Sequence, residues 1–471
     1  MTAVTATSAS ISAAAPANHP STRQGLNWDR ACALRMAEQA RFTQHNPMSQ
    51  ALAAQCRQHL LFGVPMHWMK DWSTPFALTV AKAAGARFTD ADGHSYADFC
   101  LGDTGAMFGH SPPAVARAIA RQASCGLTAM LPSADAAWVA GELARRFGLP
   151  FWQFALSATD ANRFVLRWLR AATGRRKILV FNGCYHGTVD DVFVDLVGGL
   201  PAQRDSLLGQ VYDVTEHTVV VDFNDLGALD AALASGDVAC VLAEPVMTNI
   251  GMVLPHPDFW RQAQAIIKRH ASLLVMDETH TISSGPRGYA HGHGIEPDAL
   301  VLGKPVGGGV PCAVYGFSDA VAQRVENARR RAPPGHSGVG TTLTANLLSM
   351  AALRANLEEV MTDDAYSSMF ALADPLATGL RAIIHTHRLP WCVTRVGART
   401  EFQFSPTPPS NGTQARACLD AELERIIHLY LLNRGILITP FHNMLLVCPD
   451  TRSADVTRLL QVFEECVIAL M

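Results

Sequence analysis

Charge is scarce in this chain of 471 residues: Asp, Glu, Lys and Arg together make up 17%, and the formal net charge is only −3. No broad basic field exists to follow a phosphate backbone, so a nucleic-acid partner is not expected. Hydrophobic residues reach 49%, which excludes a disordered composition and is enough for a large interior with two or three lobes. The 11 cysteines are odd in number and form no C-x-x-C pair, a usage that fits reduced thiols in a cytoplasmic protein rather than a disulfide framework or zinc site. No apolar run approaches the roughly 20 residues that cross a bilayer, so a soluble protein with no membrane partner is expected. Residues 1–25 are mostly Ala, Ser, Thr and Pro, without a basic start leading into an apolar core. They read as a flexible tail and not as a signal peptide.

What is present is a regular alternation of short apolar runs with helical stretches. Five runs read as buried strands: Lys177 to Phe181, Thr218 to Val221, Val238 to Leu242, Leu273 to Met276 and Ala299 to Leu302. With helical stretches such as Asp258 to His270 between them, the pattern predicts an α/β fold with a largely parallel sheet. Helix is expected from Leu26 to Gln55, a hairpin about Asp92-Gly93, and a helix from Pro112-Pro113 to Ala123. A long helix should follow Thr344 to about Thr362. Further helices are expected at Gln414 to Asn433 and from Ser453, with strands at Gly435 to Ile438 and Leu445 to Val447. The division expected is a tail (1–25), the N-terminal part of a small lobe (26–125), a large cofactor domain (126–350) and a C-terminal small domain (351–471).

Several strand ends carry chemistry. Asp277 closes an apolar run, and Lys304 stands on a turn bounded by Gly303 and Gly307-Gly308-Gly309. A lysine amine can form a Schiff base with the aldehyde of pyridoxal phosphate, and an acid can keep the pyridine nitrogen protonated. Ser157, Ala158 and Thr159 fall at a helix start whose free amides suit a phosphate, although an ordinary helix cap has the same look. Tyr185, with His186 and Gly187 after it, can stack on a ring or simply pack. Asn249 can reach a phenolic oxygen, and Glu244 either orients neighbours or caps a turn. The pair His291-Gly292-His293 lacks a third ligand and reads as a turn, so no metal is expected.

In this order the motifs resemble the class III aminotransferases of fold type I, over a stretch from about Phe76 to the C-terminus. Ser157-Ala158-Thr159 looks like that family's phosphate cup, with alanine where glycine is usual. Tyr185-His186-Gly187 resembles its ring-stacking loop, Asp277 its pyridine acid and Lys304 its Schiff-base lysine. Thr279 replaces the usual valine beneath the ring and is followed by the unusual His280-Thr281-Ile282. The run Gly340 to Asn346 is similar to the one that reaches the neighbouring subunit's phosphate, which implies Thr342 as donor and a homodimer with shared sites. Glu244-Pro245-Val246 with Asn249 and Gly251 is closer to the glutamate-1-semialdehyde aminomutase and β-amino acid aminotransferase branches.

The resemblance implies an enzyme that moves an amino group from an amine or amino acid to a keto acid or aldehyde, in two half-reactions through Lys304. An intramolecular 2,1-aminomutase or a lyase is the alternative. The stretch Asp190 to Gly199 does not read like the glycine-serine gate of the aminomutases, which favours the transferase. The arginines usual for carboxylate recognition are missing from Val64 to Lys70 and from Pro440-Phe441-His442. His67, Trp68 and Trp72 are therefore expected as an aromatic wall with Asp103 beside them. Arg399, on an alternating run with Glu401, is the remaining carboxylate candidate; a surface ion pair between those two is the plainer alternative.

Overall fold

A computed structural model describes residues 22–471. Its centre is a seven-stranded sheet with the spatial order Phe151–Ala155, Ala313–Phe317, Ala299–Leu302, Leu273–Asp277, Val238–Ala243, Lys177–Phe181 and Thr218–Val221. The five strands read from the sequence are mutually parallel and fully covered by helices, which is why they are continuous apolar runs without alternation. Ala313–Phe317 is antiparallel to both of its neighbours. Crossover connections leave the carboxyl ends of the parallel strands on one edge, where loops rather than helix faces line the crevice.

Both ends of the chain build a second sheet. Val80–Ala84, Arg87–Asp90 and Ser95–Asp98 form a meander, and Ile436–Leu437 joins it in parallel through Ile436 opposite Ala97. A third sheet, Cys392–Val396, Arg399–Gln403 and Met444–Leu446, packs beside it. One core of buried residues, including Phe99, Met107, Leu353, Tyr366, Phe402 and Phe463, spans these segments.

Several expectations are corrected. Most of the tail lies outside the described residues, but its end is docked: Thr22 is buried, and the side chains of Thr22 and Arg23 both donate to the Asp420 carboxylate. The expected helix over 26–55 is two, Trp28–His45 and Pro47–Cys56, because Asn46 precedes a proline and leaves the helical region. The helix expected over 414–433 is also two, Gly412–Ala417 and Ala421–Leu432, since Asp420 turns out to cap the second. The helix expected after Thr344 begins at Leu347 and widens into a π turn at Asn356–Val360. That turn aims Asn356, whose amide donates to the carbonyls of Pro305 and Val306 and so clamps the lysine loop.

Candidate active site

The carboxyl edge of the sheet closes over a cavity of about 410 Å3 lined by Ser157, Ala158, Thr159, Tyr185, Glu244, Asp277, Thr279, His280 and Lys304, with Gly105, Ala106 and the run Gly309 to Cys312. Each chemical residue arrives from the end of a strand. Phe151–Ala155 runs into Ser157, which caps the helix Ala158–Thr173 by accepting from the Asp160 amide. The amides of Ala158 and Thr159 have no helical acceptor there, and both residues line the cavity, an arrangement suited to an anion. The cup is built tightly. A methyl group on Gly187 would collide with Thr159, and one on Gly303 would lie 2.7 Å from the Ala158 methyl. Alanine is thus accommodated in the cup because its neighbour is glycine.

Asp277 lies under the cavity, buried at 3% exposure. Its Oδ2 accepts from Asn162 Nδ2 at 2.9 Å and pairs with His186 Nδ1 at 3.0 Å, and Oδ1 accepts from the Thr279 amide at 3.1 Å. Burial alone would raise this carboxyl; the hydrogen bond and charge of His186 outweigh it and hold the acid well below its usual range. His186 is held well above the imidazole range by the same pair, against its own burial. Glu244 behaves oppositely. Burial pushes its carboxyl up to about 7, and its Oε1 has no hydrogen-bond partner among the described residues.

Lys304 follows Ala299–Leu302 with φ 38, a left-handed conformation that a lysine adopts only under constraint. Its Nζ lies 2.6 Å from Asp103 Oδ2 and 2.7 Å from His280 Nε2. Burial would raise the Asp103 carboxyl, but the Lys304 amine and the Arg399 guanidinium hold it well below the ordinary range. Burial, the Lys304 amine and the Arg399 guanidinium hold His280 well below the usual imidazole range, with Asp103 opposing.

The structure therefore brings Ser157, Ala158, Thr159, Tyr185, Glu244, Asp277, Thr279 and Lys304 to one wall, with His186 behind Asp277 and Asp103 against Lys304. Other candidates lie elsewhere. Asn249 is exposed and is not among the residues that line the cavity. Thr342 is exposed on the loop that precedes Leu347. His67 and Trp68 are exposed, with Trp68 edge-on to Phe441 at 5.7 Å. Arg399, expected to face a cleft, is 1% exposed and lies behind Thr104 and His280, both of which its Nη2 contacts. Glu401 is buried too and pairs with His442 at 2.9 Å, so neither residue belongs to a surface ion pair. Sequence reasoning passed over Asn162, Thr104 and the role of His280. The only signal for Asn162 was a polar residue on an inward helix face shared with Ala161, Phe164 and Val165.

A lysine, a buried carboxylate with a cationic partner, an aromatic ring and a helix-start cup on one cavity fit pyridoxal phosphate: amine to aldehyde, acid to ring nitrogen, amides to phosphate. An α/β sheet presenting that set defines a fold type I pyridoxal phosphate enzyme. The chain matches the family described as Aminotransferase class-III over residues 68–467, and it belongs to that family. It is 33% identical over 371 residues to a glutamate-1-semialdehyde 2,1-aminomutase of Anaeromyxobacter dehalogenans (strain 2CP-C), covering 77% of this chain and 83% of that one. The crystal structure of a glutamate-1-semialdehyde-aminomutase from Pseudomonas aeruginosa PAO1 superposes with a TM-score of 0.93 at 50% identity, covering 95% of this chain and 100% of that one. A variant of the Pseudomonas enzyme has been solved in complex with PMP. A β-phenylalanine aminotransferase from Variovorax paradoxus gives a TM-score of 0.82 at 27% identity, covering 92% and 97%. The protein is an enzyme of this class, and its cofactor is pyridoxal 5'-phosphate.

Proposed function

We propose that this enzyme moves an amino group between adjacent carbons of one substrate, as a 2,1-aminomutase of the glutamate-1-semialdehyde kind. The observation that carries the reading is the 50% identity to the Pseudomonas enzyme along its whole length, which favours the aminomutase alternative over the two-substrate transfer expected from sequence. When bound, pyridoxal phosphate supplies an electron-withdrawing ring that makes the proton beside the substrate nitrogen removable. The residues then divide the work. The amides of Ala158 and Thr159 would hold its phosphate, Tyr185 would cover its ring and Asp277 would accept from the ring nitrogen, with His186 and Asn162 fixing the Asp277 carboxylate. Lys304 Nζ takes the proton from the first carbon and returns one to the second, and Thr279 holds the lysine loop by accepting from the Gly303 amide.

The test is to supply glutamate-1-semialdehyde with no keto acid. Conversion to the isomer with the amino group on the neighbouring carbon, at a rate independent of added acceptor, is expected. Turnover that begins only when a keto acid is added would overturn the reading. The second reading, a two-substrate aminotransferase, has one observation in its favour. Within the stretch Asp190 to Gly199 the strand Val194–Val197 turns at Gly198-Gly199 to pair with Leu200–Gln203, a hairpin and not a glycine-serine loop.

The reading also includes a homodimer with shared sites. Leu61, Phe62, Met66, Leu127, Met130, Leu131 and Leu343 are exposed large apolar side chains, and Thr342 adjoins the last of them. A stable, active monomer in sedimentation would contradict it. The 11 cysteines are all free thiols, which supports a reducing, cytoplasmic setting; no helix among the described residues is long and apolar enough to cross a membrane.

A further inference from the structure

Of the residues that line the cavity, Glu244 alone carries a buried polar atom, Oε1, that finds no partner among the described residues. Its other oxygen is committed, since the Thr248 hydroxyl donates to Oε2. A carboxyl in this setting leaves either a lone pair or a proton orphaned, and a buried group of either kind costs free energy until something meets it. The order of the strands says what that is. Along the carboxyl edge come, in turn, Phe151–Ala155 leading to the cup, Ala299–Leu302 leading to Lys304, Leu273–Asp277 ending on its acid, and Val238–Ala243 with Glu244 directly after it. In pyridoxal phosphate the aldehyde carbon stands opposite the ring nitrogen, with the phosphate arm on one flank of that axis and the phenolic oxygen on the other. Phosphate at the cup, aldehyde at Lys304 and nitrogen at Asp277 therefore turn the phenolic oxygen away from the cup, toward the flank from which Glu244 comes.

We propose that Glu244 is the residue that meets the phenolic oxygen of the bound cofactor, one proton being shared between that oxygen and Oε1, in the place expected from sequence for Asn249. Asn249 itself is exposed and does not line the cavity. The charged and titratable groups facing Glu244 are His186 from the loop after Lys177–Phe181, Asp277 from the adjoining strand and Arg399 from the third sheet. Burial pushes the Glu244 carboxyl up and the Asp277 charge adds to this, while the His186 charge and the Thr248 hydrogen bonds oppose, which leaves it at about 7. A carboxyl poised there can give its proton to a phenolate or accept one from a phenol, so the hydrogen bond persists whichever oxygen holds the proton. With nitrogen and phosphate already anchored, this third contact fixes the ring in its own plane and presents the aldehyde carbon to Lys304. The contact belongs to cofactor binding and is the same whether the enzyme is an aminomutase or a transferase.

The test uses the cofactor-free full-length protein and two ligands, pyridoxal phosphate and its deoxy analogue that lacks the phenolic oxygen. Equilibrium dialysis gives the ratio of their dissociation constants. The unaltered protein is expected to favour pyridoxal phosphate, and Glu244→Leu to shrink that preference by roughly ten- to a hundredfold, as the loss of a hydrogen bond to a charged group implies. Glu244→Gln, whose amide restores a donor, should keep much of the preference, and Asn249→Ala should keep all of it. Carbon NMR of the unaltered protein labelled on its glutamate carboxyls depends on no variant folding. Burial raises Glu244 to about 7 and Glu424 to about 8, but only the first lines the cavity. One of these two signals should therefore move when pyridoxal phosphate is added, and move far less with the analogue. An equal preference in Glu244→Leu and the unaltered protein, loss of the preference in Asn249→Ala, or two signals indifferent to pyridoxal phosphate overturns the proposal. Failure of the aminomutase reading looks different: turnover would demand a keto acid while these binding ratios stood.

Discussion

Asp277→Asn keeps the shape of the side chain and removes its charge, and the consequences follow atom by atom. The carboxylate accepts three hydrogen bonds: the Thr279 amide on Oδ1, and Asn162 Nδ2 and His186 Nδ1 on Oδ2. An amide has one acceptor oxygen. Turned toward Thr279 its NH2 confronts a backbone donor; turned the other way it confronts Asn162 Nδ2, and it finds an acceptor only if His186 gives up its charge and presents the Nδ1 lone pair, or if Asn162 rotates its own amide, whose Oδ1 is unpartnered, away from the His186 carbonyl. One buried donor left unsatisfied costs about 1–3 kcal/mol. Losing a buried ion pair by removing one partner brings the total to about 3–5 kcal/mol. The pH dependence has a definite sign. The depressed Asp277 contributes stability present above the ordinary carboxylate value near ~4 and lost as pH falls. The raised His186 contributes stability complete below the ordinary imidazole value near ~6.5 and lost as pH rises toward its raised one. The gap between unaltered protein and variant is therefore widest between about pH 4 and 6.5 and narrows in alkali. Urea unfolding of the cofactor-free protein, followed by tryptophan fluorescence at pH 5.5 and pH 9, measures both quantities. A gap below about 1 kcal/mol at the lower pH, or an equal gap at both, would refute the ion-pair reasoning.

Gly303→Ala should weaken cofactor binding and cost about 1–3 kcal/mol of stability, because the new methyl falls 2.7 Å from that of Ala158 and 3.2 Å from its amide nitrogen. Adding Ala158→Gly should restore much of the loss in equilibrium dialysis against pyridoxal phosphate; strict additivity of the two changes would show that the cup is not packed as described. Glu244 carries the reverse pH signature to Asp277. With its carboxyl raised to about 7 from 4.5, ionisation costs about 3 kcal/mol that accrues as pH climbs between those values. Glu244→Gln should accordingly gain stability relative to the unaltered protein between pH 5 and pH 8, and a difference independent of pH would contradict a buried, neutral acid.

What the sequence made legible and what it hid follow from one distinction. Asp277, Lys304 and Tyr185 each follow a segment whose own pattern announces it: a buried parallel strand is a continuous apolar run, and the residues after it fall on the carboxyl edge. Direction within the sheet was harder. Ala313–Phe317 has the same buried pattern as its parallel neighbours, so nothing local marks it as reversed. The array around Lys304 was hidden for a different reason. Asp103 and Thr104 come from a loop of the N-terminal segment, His280 from the turn after Asp277, and Arg399 from a strand of the third sheet. Arg399 reads in sequence as the open face of an alternating strand, yet both faces of that strand are covered once the third sheet packs over the site. A periodicity argument assigns sides and cannot supply what lies against them. The same packing that removes Arg399 from solvent sets it against one nitrogen of the His280 ring, whose other nitrogen faces Lys304. An unusual histidine directly after Thr279 is thus a local mark whose meaning depends on two residues distant in the chain, and those partners become visible only when the sheets are assembled.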